Sequence, residues 1–255
     1  MQHNPPTADL VQPLRKAGLR PGERTISTIL ERGDEAVEPL LALALETRTL
    51  LEAEPGGLGP LHALRLLGEF QASSAAEPIL RQLPLQFDDA QTQAAFLWAQ
   101  EAPQIVARFG ADALPVILGV ADDQAAPPKQ RGAAYAALSY LATITSELRD
   151  QVVTELRERF SRESDSTAKG YLVAALAQLK ARDAYAEIMD AFRTKSVDRD
   201  VISAADARQL LLGSEVEPQL NCALHTLAER YEQHGPYSEE QQRLMAEMAR
   251  ESGYY

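Results

Sequence analysis

Apolar residues in this chain recur at helical spacing, and the spacing itself recurs. Around Pro78, the positions Ala76, Ile79, Leu80 and Leu83 form an i, i+3, i+4, i+7 stripe that places them on one helix face. The same stripe reads Val37, Leu40, Leu41 and Ala44 upstream, and Ala113, Val116, Ile117 and Val120 downstream. It returns as Arg149, Val152, Val153 and Leu156, with one polar member, and again as Tyr185, Ile188, Met189 and Phe192. Prolines at 39, 78 and 115 mark the first three copies, at spacings of 39 and 37 residues. Proline is tolerated there because the first N–H groups of a helix have no intrahelical acceptor.

A second stripe precedes each of these. In the five units it reads Ile26, Ile29, Leu30 and Gly33; Ala63, Leu66, Leu67 and Phe70; Ala102, Ile105, Val106 and Phe109; Ala134, Ala137, Leu138 and Leu141; and Leu172, Ala175, Leu176 and Leu179. Each unit is therefore two amphipathic helices. Asp34, Ser73, Asp112, Ser146 and Asp183 stand in the turns between them as cap-competent residues. Gly68, Ala107, Ser139 and Ala177 are small enough to let paired helices approach closely. One such pair cannot bury both stripes, so neighbours must stack and share a continuous core. The prediction is an all-α chain of about five to six helix pairs, a single domain over 1–255.

Regular units span 24–195. Residues 201–255 read as a degenerate sixth unit, with Val216, Gln219, Leu220 and Ala223 as its stripe, followed by a capping helix over Ser238 to Arg250. Ser238 and Gln241 fit a capping box. A short helix is expected from Asp9 to Lys16, and it or a partner should cover the all-apolar segment Leu40 to Leu45. Pro103 is expected to interrupt the first helix of the third unit.

The phrase Arg131-Gly132-Ala133-Ala134-Tyr135-Ala136-Ala137-Leu138 resembles the first helix of the HEAT-like repeats of the phycobilisome-lyase type, Arg-x-Ala-Ala-x-x-Ala-Leu. Asp34, Ala36, Val37 and Leu40 are similar to that family's second-helix opening, Asp-x-x-Ala-Val-x-x-Leu, with the aspartate one residue nearer. The resemblance implies a right-handed alpha-alpha superhelix, a HEAT-like solenoid. Such repeats occur in chromophore lyases and in regulatory scaffolds, so the resemblance specifies architecture and leaves activity open.

Charge narrows the partners. The net charge is −12, with acidic residues outnumbering basic ones 37 to 25 and no basic block, which argues against nucleic acid and anionic membrane as ligands. No window has the roughly 18 uninterrupted apolar residues a membrane span needs, and Met1 to Asp9 lacks the pattern of a signal peptide, so the expected location is cytoplasmic. A lone cysteine, Cys222, excludes an intrachain disulfide and a cysteine-based metal cluster.

No catalytic residue, cofactor site or metal site is recognised. Cys222 and His225 stand three apart, as a thiolate pair would, with no evident orienting group or oxyanion donor. The acidic pairs Asp88-Asp89 and Asp122-Asp123 follow successive second helices, and Pro55-Gly56-Gly57 is a break between helices. Trp98 reads as core. His62, with Arg65 and Glu69 at i+3 and i+7, and the off-stripe Arg81, Arg157 and Arg193 are the candidate partner contacts, with plain solvated side chains as the competing reading. These features favour a protein-interaction scaffold that grips another protein or peptide through a concave face of second helices. An enzyme subunit of the chromophore-lyase kind and a helical-repeat DNA-binding protein are the alternatives.

Overall fold

The computed structural model describes residues 6–52, 56–85, 92–213 and 222–251. Within them every regular element is a helix. The short α1 (Thr7–Val11) runs into a 3-10 turn, Gln12–Lys16. Five helix pairs follow: α2 (Glu23–Leu30) with α3 (Val37–Ala44), α4 (Gly59–Leu67) with α5 (Ala76–Arg81), α6 (Gln93–Ala107) with α7 (Leu114–Asp122), α8 (Pro128–Ile144) with α9 (Arg149–Arg162), and α10 (Ser166–Gln178) with α11 (Tyr185–Arg193). The remaining helices are α12 (Ala204–Leu212), α13 (Leu227–Gln233) and α14 (Glu239–Glu251).

The stripes explain this packing. Ala134, Ala137, Leu138 and Leu141 of α8 are fully buried, as are Ala76, Ile79 and Leu80 of α5. First helices touch in sequence: α4 meets α6, α6 meets α8, α8 meets α10, and α10 meets α12. The buried apolar residues form one cluster running from Val11 to Tyr231. Close approach is visible where glycine is required. A Cβ on Gly132 of α8 would lie 2.5 Å from the Tyr171 ring of α10, and one on Gly68 would lie 3.0 Å from Ile105 Cδ1 of α6. The small residue at 68 thus serves the role its position implied.

Adjacent units are also joined by arginine–carboxylate pairs about one repeat apart. Arg65 of α4 reaches Glu101 of α6, and Arg159 of α9 reaches back to Asp122 of α7, while inside the fourth unit Arg131 of α8 reaches Glu163 at the end of α9.

Two expectations fail on local backbone chemistry. All five second helices start from a 3-10 turn (Gly33–Ala36, Ser73–Ala75, Ala111–Ala113, Ser146–Leu148, Arg182–Ala184), and none has a side-chain cap. Asp34, Ser73, Asp112, Ser146 and Asp183 therefore lie inside the turns and do not cap. The tighter i→i+3 turn already gives early N–H groups carbonyl acceptors, as Ala75 N–H donating to the Ala72 carbonyl and Ala113 N–H to the Gly110 carbonyl show. Side-chain caps instead open helices that no 3-10 turn runs directly into: Thr92 on α6, Asp165 on α10, Ser203 on α12 and Thr226 on α13. Pro103 does not interrupt the third unit either. It lies inside α6, whose burial along Glu101–Ala107 compensates for the missing N–H.

The ends match their patterns. Ser238 and Gln241 form the reciprocal capping bonds that open α14. Both α1 and α4 cover α3. Trp98 is fully buried and donates Nε1–H to the Ala44 carbonyl at 3.1 Å. Asp88-Asp89, Pro55 and most of the sixth-unit stripe lie outside the described residues.

Candidate functional site

Three of the candidate contacts converge on one buried junction. His62, Arg65 and Glu69 leave α4 on the side where α13 and the turn after it return from the far end of the chain. His62 and Arg65 are fully buried, which corrects both readings of them: they are neither solvated nor presented to a partner.

His62 donates and accepts in a fixed sense. Its Nε2 lies 2.8 Å from the Gly18 carbonyl, which can only accept, so Nε2 carries the hydrogen. Nδ1, 2.9 Å from the Tyr231 hydroxyl, is then the acceptor and Tyr231 the donor. Burial lowers the His62 imidazole to about 4, with the neighbouring Arg65 charge adding to the effect and the Gly18 bond opposing it. Burial likewise raises the Tyr231 phenol well above its usual range. Both groups are neutral at pH 7 and shut away from solvent, so the pair has the chemistry of a lock and not of an accessible base.

Arg65 is held on three sides. It donates Nε–H to Glu101 at 2.8 Å and an Nη2–H to the other Glu101 oxygen, and its Nη1 reaches the Gly235 carbonyl. Its guanidinium lies 4.6 Å from the Tyr231 ring centroid, a cation–π contact. Arg230 of α13, also fully buried, bonds the Arg65 carbonyl at 3.1 Å, Glu69 at 3.0 Å and the His225 carbonyl at 3.1 Å. Arg108, the C-cap residue of α6, bonds the Gly68 and Ala223 carbonyls, both at 2.9 Å. Gln93 pairs with both the N–H and the carbonyl of Tyr237.

A second histidine pair closes the junction. His225 Nδ1 and His234 Nε2 are 2.6 Å apart, with ring centroids 4.8 Å apart and planes inclined by 22°. Two nearly coplanar rings at that separation meet edge to edge through one N–H···N bond; stacked faces would not bring these two nitrogens so close. His234 Nδ1 is buried without a hydrogen-bond partner among the described residues. Burial lowers the His234 imidazole, Glu101 opposes that shift, and His225, Arg65 and Arg230 reinforce it. A bare Nδ1 lone pair facing those cations is the less costly tautomer, so His234 donates from Nε2 to His225.

The other candidates are dispersed. Arg81 on α5 bonds Asp123 at 2.5 Å and Gln130 at 3.1 Å. Arg157 pairs with Glu187 at 2.8 Å, and Arg193 pairs with Asp190 inside its own helix. Asp122 bridges Arg159 and Arg162, so the Asp122-Asp123 pair is a stitch between units. Among the described residues no group of three or more His, Cys, Asp and Glu could hold a metal ion. Several clefts are open, two of which border candidate or junction helices. One of about 450 Å³ is lined by Asp122, Tyr135, Arg159, Arg162, Glu163 and Ser164. The other, about 340 Å³, is mainly apolar and is lined by Leu83, Pro84, Leu85, Phe96, Ala99 and Gln100.

Sequence reasoning missed Glu101, Arg108, Arg230, Tyr231 and His234. One signal was present: Thr226 and Glu229 form a full capping box that starts α13. The buried stripe behind it, Leu227, Arg230, Tyr231 and His234, has helical spacing but only one aliphatic member, so hydrophobic periodicity does not find it.

No single helix among the described residues is long and apolar enough to cross a membrane. No curated protein and no solved structure matches the chain. Residues 21–232, from the approach to α2 almost to the end of α13, match the family described as protein of unknown function (DUF1186). That match takes in both partners of the α4–α13 junction and most of the chain, which accordingly belongs to the DUF1186 family.

Proposed function

We propose that this protein is a helical-repeat scaffold whose units wind as a right-handed superhelix and hold another protein or a peptide. The observation that carries the reading is the apolar groove where units two and three meet. Phe96 stands 48% exposed there, beside Leu83, Pro84 and Leu85, on a helix whose other large apolar residues are buried. A large aromatic half out of water in a concave apolar site is the kind of anchor around which protein interfaces concentrate their binding energy. Arg81 and Gln130 lie at the neighbouring cleft, which shares Leu83, Pro84 and Leu85, and supply a polar rim. Stacked units suit this role because each adds a similar surface beside the last.

Affinity purification from the native cell, followed by mass spectrometry, tests the reading. One dominant co-purifying protein is expected, and Phe96→Glu should remove it without changing the melting temperature. A preparation that carries no protein partner, or a partner retained by Phe96→Glu, would count against the groove.

A further inference from the structure

Three of the four histidines in the chain meet at the α13 junction, although they come from positions 62, 225 and 234; the fourth, His3, lies outside the described residues. The rest of that interface is equally polar. Apart from Leu227 and the Tyr231 ring, α13 is held by Arg230, by His234, and by bonds from Arg65, Arg108, Gln93 and Gln104 to main-chain groups of residues 223–237. The repeat rows, in contrast, are joined mainly by apolar side chains with arginine–carboxylate pairs among them, and His62 is the one histidine on the paired helices. Histidine protonation therefore acts at this junction and not between the later units.

We propose that α13 and its flanking turns, residues 223–237, form an acid-released clasp on α4 and α6, detaching as a unit when the histidines protonate while the helix rows stay folded.

The geometry gives each proton a specific effect. On His62 it lands on Nδ1, which turns the acceptor of the Tyr231 hydroxyl bond into a second donor. No carboxylate bonds that ring; its neighbours are the Gly18 carbonyl, Tyr231 and the cationic Arg65, with Arg20 on the same tyrosine ring at 5.8 Å. On His234 it lands on the bare Nδ1 and leaves a cation among Arg65 and Arg230. Glu101 is the carboxylate facing His234 and is already bound to Arg65 through both oxygens; Glu69 is shared by Arg108 and Arg230. Both are already paired, and Glu229, which accepts from the Thr226 N–H and hydroxyl, faces His225. Release would uncover the α4–α6 face, including Arg65, Glu101 and Gln104.

Hydrogen exchange of the full-length protein at pH 7 and pH 4.5, with rates corrected for intrinsic pH dependence, tests this. A closed-state His62 at about 4 and an open-state value of ~6.5 imply that opening becomes roughly 60-fold more favourable over that interval from this residue alone. Protection of residues 223–237 is expected to fall by tens of fold, with α4, α8 and α10 unchanged. The double variant His62→Gln/His234→Gln should keep the clasp closed at pH 4.5, because a glutamine at 62 can donate to Gly18 and accept from Tyr231 without titrating. Equal loss of protection in every helix, or none anywhere, overturns the proposal. So does a folded double variant that opens as the wild type does, and the wild-type profile decides alone should that variant not fold.

Discussion

At the scale of single residues, the strongest constraints are buried polar groups whose partners come from distant segments. Glu101→Gln is expected to cost about 3–5 kcal/mol, because it leaves the fully buried Arg65 without its counter-charge. Urea unfolding would measure it, and Arg65→Met combined with Glu101→Leu should recover part of the loss. His62 adds a pH dependence with a defined sign. Its folded value of about 4 is below the ~6.5 of an unfolded chain, so its stabilisation is fully present above ~6.5 and declines as pH falls toward 4. The total comes to about 3 kcal/mol, and His62→Gln should flatten the unfolding free energy across that window. Neither effect is legible locally. The sequence gives His62 and Arg65 helical neighbours that look like a solvated face, and their burial depends on a helix more than 160 residues away.

At the scale of elements, turns and close approaches decide which polar residues matter. Thr226→Ala removes half of a complete capping box and should lower stability by about 1 kcal/mol, whereas Asp34→Ala, in a 3-10 turn with no side-chain cap, should change it by less than about 0.5 kcal/mol. Paired melting curves separate the two; equal losses would mean that the turn residues cap after all. Gly132→Ala places a methyl 2.5 Å from the Tyr171 ring, so α8 and α10 must move apart at a cost of about 1–3 kcal/mol. Differential scanning calorimetry would register a lower melting temperature, and an unchanged one would show that Tyr171 yields freely. Element type and position could be read in advance, since all ten paired helices sit on their stripes. The capping residues could not, because Asp and Ser serve a turn interior as readily as an N-cap.

At the scale of the whole molecule, two kinds of ion pair between helices should behave differently. Arg131 and Glu163 are almost completely buried between α8 and the end of α9, and Arg131→Ala is expected to destabilise by at least ~3 kcal/mol. Arg157 and Glu187 bridge units at the surface, where Arg157→Ala should change stability by less than about 1 kcal/mol and do so mainly at low salt. Urea titrations at two ionic strengths would distinguish them. A large effect at Arg157 would mean that surface stitching holds the rows together.

What the sequence determined by itself is the part governed by periodicity: all-helical structure, the succession of paired helices and the faces they bury, the burial of Trp98 and the capping box of α14. A 3.6-residue stripe of leucine, alanine, isoleucine and valine dictates both helix and buried face without reference to any other segment. Tertiary structure alone decided that α13 folds back on α4 and α6, because that contact is made by Arg230, Tyr231, His234, Arg65 and Glu101. Polar side chains of this kind favour water unless a partner of opposite chemistry is brought to them, and only the completed fold brings it.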